Sequence, residues 1–90
     1  MANYTADPAD ILHIQHIQIS ALNIAMRHRW QIRAVMRDGR SVTAHFLGSS
    51  AGNNDGTGAL FGYWGEILVK DAEGKSAKVD CLDVDYITPP

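Results

Sequence analysis

Residues 29–46 read RWQIRAVMRDGRSVTAHF, two segments of alternating apolar and polar residues on either side of an Asp-Gly pair. Asp-Gly between alternating segments is the strongest short-range signal for a β-hairpin. A two-residue loop would set the apolar Ala34 and Ile32 opposite polar residues, so neither face of the hairpin would be apolar. We therefore expect a three-residue loop, Arg37-Asp38-Gly39, with Gly39 in the left-handed conformation.

This loop length defines the register and both faces of the hairpin. One face is apolar and pairs Ala34 with Val42, Ile32 with Ala44 and Trp30 with Phe46. The other face carries Gln31, Arg33, Ser41, Thr43 and His45.

A second hairpin further along the chain has the same type of three-residue loop. The loop Ala72-Glu73-Gly74, with Gly74 left-handed, pairs Val69 with Ala77 and Ile67 with Val79. The alternation of inward-pointing and outward-pointing side chains then changes its phase near Cys81-Leu82. This change predicts a bulge or a short 3₁₀ turn. A last strand is expected from Val84 to Ile87.

The segment between the hairpins completes the predicted fold. Residues 48–58 are rich in Gly, Ser and Asn and predict a loop, and residues 60–70 predict a bent third strand. About five short strands with two tight hairpins describe a mainly β fold, a small five-stranded SH3-like or Sm-like barrel. We expect one domain over residues 1–90, with a tail at 1–10, a helical segment at 11–28 and the barrel at 29–88.

The helical segment begins with Asp7-Pro8, which suits an N-cap followed by the first helical position. Polar residues then recur every three or four positions and predict one polar stripe on an α-helix, with apolar residues over most of the rest; Gln15 and Gln18 violate the pattern. The β-branched Ile content leaves a strand open as an alternative for residues 11–19. In either case this segment has more apolar side chains than one buried face needs, and they must be covered by another surface. We therefore expect a homo-oligomer.

Composition bounds the class of protein. The formal net charge is −2, but the five Arg of residues 1–45 face only three Asp, whereas residues 46–90 carry three Lys and seven acidic residues. We therefore expect the first hairpin to be basic and the C-terminal half of the chain to be acidic. Cys81 is the only cysteine, which favours a reducing compartment. The apolar run of residues 11–26 is broken by polar residues and predicts neither a signal peptide nor a membrane span, so we expect a cytoplasmic protein.

Two segments of the sequence have a recognisable pattern: residues 22–39, LNIAMRHRWQIRAVMRDG, and residues 65–74 with 79–84. The first resembles the helix and first strand of the bacterial Rho-binding antiterminators, and the second resembles the last hairpin of that family. The resemblance covers roughly residues 20–47 and 65–87. It implies an Sm-like barrel with an N-terminal helix that binds the transcription terminator Rho through acidic residues and blocks its RNA site.

Motifs for catalysis or metal binding do not occur in this sequence. His13 and His16 lie one helical turn apart, but no Cys or carboxylate at ligand spacing completes a metal site. No pair of titratable groups has a recognisable catalytic spacing, so we expect no enzyme, no metal and no cofactor.

Two sets of residues are candidates for binding a partner or RNA. Basic and aromatic side chains suit phosphate contacts and base stacking, and the candidates are Arg33, Arg37, Arg40, His45, Tyr63 and Trp64. Clustered carboxylates suit a basic protein partner, for which they would imitate a nucleic-acid backbone, and the candidates are Asp80, Asp83 and Asp85.

Three functions follow as hypotheses. The first is a non-enzymatic binding module that docks on a protein partner, with Rho as the partner that the resemblance implies. The second is an Sm-like RNA-binding protein that uses the Arg face of the first hairpin. The third is a protein of unassigned function that uses the barrel for oligomerisation.

Overall fold

A computed structural model describes residues 3–54 and 61–90 of the chain. One helix precedes five strands: α1 (Pro8–Arg27), β1 (Gln31–Met36), β2 (Ser41–Asn53), β3 (Tyr63–Lys70), β4 (Ser76–Asp80) and β5 (Val84–Thr88). A 3₁₀ turn, Cys81–Asp83, joins β4 to β5. In the part of the chain that the structure describes, no helix is long and apolar enough to cross a membrane.

Both hairpins have the predicted register. Ala34 pairs with Val42 and Ile32 with Ala44 in the first hairpin. Val69 pairs with Ala77 and Ile67 with Val79 in the second. Gly39 and Gly74 have φ angles of 91° and 86°, in the left-handed region that the three-residue loops require. The predicted 3₁₀ turn and last strand are also confirmed.

The predicted mainly β fold of five strands with an N-terminal helix is confirmed, but the sheet is not closed as a barrel: the five antiparallel strands form an open sheet in the order β4-β3-β2-β1-β5. Strand directions alternate along this order, so β4 and β5 run the same way at opposite edges. Parallel neighbours need a crossover of a dozen or more residues, whereas only the three residues of the turn Cys81–Asp83 separate β4 from β5. The two edges therefore cannot pair within one chain.

Strand β2 is longer than predicted. It continues to Asn53, so residues 48–53 are strand rather than loop. Its first part pairs with β1, and from His45 onward it pairs with β3. A register shift between Phe46 and Gly48 bends the strand where it passes from one partner to the other. The rest of the predicted loop, from residue 55 onward, lies outside the described residues.

Helix α1 settles the alternative at residues 11–19, which are helical. Asp7 caps the helix by accepting a 2.9 Å hydrogen bond from the Ala9 N–H. The helix begins at Pro8, as the Asp7-Pro8 pair predicts, so the division of the chain into a tail at 1–10 and a helical segment from 11 is three residues too late. At the other end, Arg29 and Trp30 have φ angles of 56° and 66°.

Trp30 lies outside the predicted apolar face. Its side chain is 45% exposed, although the Phe46 N–H donates to the Trp30 carbonyl as the predicted pairing requires. The Trp30 N–H itself donates to the Ala25 carbonyl at 2.7 Å. The left-handed residues of this helix end therefore turn Trp30 out of the strand before β1 begins.

The N-terminal segment is anchored rather than a free tail. Thr5 and Tyr63 exchange two backbone hydrogen bonds of 2.8 and 2.7 Å. The Asn3 N–H donates to the Asp80 carboxylate at 2.8 Å. These bonds hold the chain against β3 and β4 before the helix starts.

The core lies between α1 and the concave face of the bent sheet. Its members are Ile14, Ile17, Ala21 and Ala25 of the helix with Ile32, Ala34, Ala44, Phe46, Ile67, Val69, Cys81, Val84 and Ile87. The helix approaches β3 most closely at Gly65, where a Cβ would lie 2.1 Å from Cγ2 of Ile14. No larger residue fits there unless the helix moves.

We expect Gly65→Ala to destabilise the protein by about 1–3 kcal/mol, because the added methyl overlaps Ile14. Urea denaturation followed by circular dichroism measures the free energy of unfolding. Ile14→Ala alone leaves a cavity and costs about 2–5 kcal/mol. The double variant should cost clearly less than the sum of the two, because each change relieves the other. Additive costs would show that the close approach does not limit packing.

Candidate functional site

An apolar cleft opens on the concave side of the sheet, between the two hairpins. Its volume is about 290 Å³. The floor consists of Ile32, Ala34, Ala44, Ile67 and Val69, and the walls include Met36, Val42 and Val79. Ligand pockets in proteins usually start near 300 Å³, so the cleft suits one or two apolar side chains better than a large ligand.

Two features of the fold leave this space open. Ala34 and Ala44 lie on neighbouring strands and contribute only methyl groups to the floor. The edges β4 and β5 do not pair, so no ladder of hydrogen bonds closes the sheet over the cleft. Small side chains and an unpaired gap together produce the concavity.

The rim of the cleft carries charges of both signs. Arg40 and Lys78 line it together with Asp80 and Asp83. Nε of Arg40 lies 2.7 Å from Oδ2 of Asp38, and both side chains are largely exposed. The Arg40 backbone N–H and guanidinium donate to Asp38 and lower the pKa of its carboxyl.

The acidic residues predicted as a cluster have different roles. Asp80 is structural, because its carboxylate caps the 3₁₀ turn through the Leu82 N–H and also accepts the Asn3 N–H. Asp83 lines the cleft, and its carbonyl accepts the Arg37 N–H at 2.9 Å. Asp85 is exposed at the register shift between β1 and β5. Asp80 and Asp83 therefore belong to the cleft rim, and Asp85 does not line it.

The convex face of the sheet carries a basic strip. The register places Thr88, Arg33 and Thr43 in one cross-strand row, and Gln31, His45 and Lys70 in the next. Nε of Arg33 donates to the Thr88 hydroxyl at 3.1 Å, and Nδ1 of His45 lies 3.2 Å from Nε2 of Gln31. We call Arg33, His45 and Lys70 the basic strip. Arg37 lies at the hairpin loop and Arg40 at the cleft rim, so the structure separates these arginines from Arg33.

The predicted aromatic residues lie away from this strip. Tyr63 packs against the core, and its backbone exchanges hydrogen bonds with Thr5. Trp64 is half-buried against Gly52. Tyr86 pairs with Val35, one row beyond Arg33 and Thr88, and is 50% exposed. Tyr86 and Lys70 were not among the residues predicted to bind a partner or RNA. The alternation of inward and outward side chains in β5 and β3 nevertheless indicates that both point outward.

Cys81 has no accessible thiol. Its side chain is fully buried in the core. Burial and the nearby charges of Asp80 and Glu66 raise the pKa of the thiol to about 12. A thiol in this state is a poor nucleophile.

The two helical histidines do not share a ligand position. Nε2 of His13 lies 2.6 Å from the Val84 carbonyl and therefore carries the proton that it donates, whereas His16 is exposed. Within residues 3–54 and 61–90, no group of three or more His, Cys, Asp or Glu side chains could hold a metal ion.

Comparison with known proteins supports the fold. A crystal structure of a protein from Xanthomonas campestris, described as adopting a novel variant of the Sm-like motif, superposes with a TM-score of 0.71. The similarity covers 100% of this chain and 95% of that one at 12% sequence identity. No protein-family model matches the sequence, and the comparison with curated proteins finds no match. This chain therefore has an Sm-like fold.

We expect Cys81 to resist iodoacetamide in the native protein at pH 8, since its thiol is buried and its pKa is near 12. Mass spectrometry should find no adduct until denaturant is added. The raised pKa also means that stability falls as the pH rises above the ordinary thiol value of 9.0. Complete labelling of the native protein within minutes would contradict the buried position.

Proposed function

We propose that this protein is a non-enzymatic binding module that docks on a protein partner through the cleft. The observation that carries the proposal is an apolar floor enclosed by a rim with charges of both signs. Protein interfaces have this arrangement, with a desolvated apolar centre and a polar rim that adds specificity. The floor supplies the affinity, and Arg40, Lys78 and Asp83 select the orientation of the partner.

The resemblance to Rho-binding antiterminators makes Rho the first partner to test. The segments that carry it, roughly residues 20–47 and 65–87, contribute the floor of the cleft and its whole rim. In this proposal an exposed apolar side chain of the partner enters the cleft and is held against Ala34 and Ala44.

We expect Val42→Asp to weaken binding to purified Rho at least tenfold, because it puts a charge on the wall of the cleft. Leu47→Asp is the matched control, since Leu47 is 47% exposed, Val42 is 43% exposed, and both belong to β2. Size-exclusion chromatography with light scattering detects the complex, and a termination assay measures its effect on Rho.

Three outcomes separate the possibilities. Loss of the complex in Val42→Asp alone supports the cleft as the docking site. Equal loss in both variants would refute it. If wild-type protein forms no complex with Rho and leaves termination unchanged, Rho is not the partner, and pull-down from a bacterial lysate with and without nuclease then tests for another protein.

A second candidate function rests on the basic strip. Arg33, His45 and Lys70 follow one another across three strands, and the exposed Tyr86 lies beyond the Arg33 row. Basic side chains that track phosphates, with an aromatic ring for stacking, suit single-stranded RNA. This surface is on the convex face and does not overlap the cleft.

If the basic strip binds RNA, we expect Arg33→Ala to weaken binding to a single-stranded oligonucleotide and to reduce the salt slope by about 1. Arg37→Ala, at the hairpin loop, should have a smaller effect. Lys75→Ala, in the other hairpin loop, is the control for loss of one positive charge. Fluorescence anisotropy at several salt concentrations measures both quantities. No binding at low salt would exclude this function.

A further inference from the structure

The face of α1 that points away from the sheet is apolar and uncovered. Leu12, Ile19 and Met26 are 66%, 61% and 64% exposed, and Leu22 is 43% exposed. The opposite face, with Ile14, Ile17, Ala21 and Ala25, is fully buried. An amphipathic helix of a monomer normally places polar residues on its outer face, so this stripe needs a separate explanation.

Three apolar residues of the exposed stripe are placed symmetrically about Ile19. Leu12 lies seven residues before Ile19 and Met26 lies seven after it. Seven residues turn an α-helix by about 700°, so both side chains project within about 20° of Ile19. Two amides flank them at equal spacing, Gln15 four residues before Ile19 and Asn23 four residues after it.

This symmetry matches a two-fold axis through Ile19. If two copies of α1 pack antiparallel, Ile19 meets Ile19, and Leu12 of each copy meets Met26 of the other. The same operation sets Gln15 opposite Asn23, whose side chains can exchange hydrogen bonds, and Leu22 opposite His16. A two-fold interface requires one surface to be complementary to itself, and this stripe meets that requirement.

The charges on the helix favour the same orientation. Residues 11–26 contain no Asp, Glu, Lys or Arg, so no carboxylate, ammonium or guanidinium group is buried when the stripe is covered. Asp7 and Asp10 lie at the N-terminal end, whereas Arg27 and Arg29 lie at the C-terminal end. An antiparallel pair brings the acidic end of each copy beside the basic end of the other, and it also opposes the two helix dipoles.

We propose that a second copy of this chain covers this face and forms an antiparallel, two-fold helix pair centred on Ile19. The contact runs from Leu12 to Met26, about 21 Å along the helix axis. A single helix pair is at the small end of specific interfaces, so we expect a weak dimer with a dissociation constant on the order of micromolar. The residues that line the cleft belong to the strands, the first hairpin loop and the 3₁₀ turn, so the dimer leaves the cleft accessible.

Sedimentation equilibrium of the full chain tests the association. We expect wild-type protein to dimerise and Ile19→Glu to raise the dissociation constant at least tenfold, since it places two carboxylates on the symmetry axis. Leu47→Glu, an exposed apolar residue of β2 with 47% exposure, is the matched control and should dimerise like wild type. A wild-type protein that is monomeric at high micromolar concentration would overturn the proposal. Equal loss of dimer in both variants would also overturn it.

Cysteine crosslinking tests the geometry, with the buried Cys81 of wild-type protein as the unreactive background. Under mild oxidation, Ile19→Cys should crosslink to itself. Leu12→Cys should not, because two copies of this position lie about 21 Å apart, far beyond the roughly 7 Å that a disulfide spans. A mixture of Leu12→Cys and Met26→Cys should give the mixed dimer. Efficient self-crosslinking of Leu12→Cys would show a parallel pair and refute the proposed arrangement.

Discussion

The close approach of α1 to β3 at Gly65 is the constraint on which the rest of the molecule depends. A Cβ at this position would overlap Ile14, so the helix can lie at its observed depth only above a glycine. At the same place, Nε2 of Gln18 donates to the carbonyls of Ser50 and Glu66, at 2.9 and 3.2 Å. Steric fit determines the depth of the helix, and these hydrogen bonds determine its rotation.

The rotation of the helix decides which side chains reach solvent. Gln18 faces the paired strands β2 and β3, and His13 donates to the Val84 carbonyl on the β5 side. With both polar side chains turned toward the sheet, Ile19 must point away from it. The exposed apolar stripe is therefore a consequence of how the polar residues of the helix satisfy backbone carbonyls.

The open edges of the sheet decide where the cleft lies. Because β4 and β5 run in the same direction and only a 3₁₀ turn joins them, their facing edges remain unpaired. Ala34 and Ala44 line the cleft below this gap, while the convex face keeps its basic strip. The cleft, the strip and the outer face of α1 are separate surfaces.

Local sequence determined both hairpins, because the Asp-Gly and Glu-Gly loops require a left-handed glycine and alternation then allows one register. The helix start and the 3₁₀ turn were also predictable from nearby residues. The open sheet, the length of β2 and the grouping of Arg40 with Asp83 were not, because they depend on strands distant in sequence. The roles of Gln18 and Gly65 arose only in the tertiary structure, since a polar residue inside an apolar pattern has no partner until the sheet supplies its carbonyls.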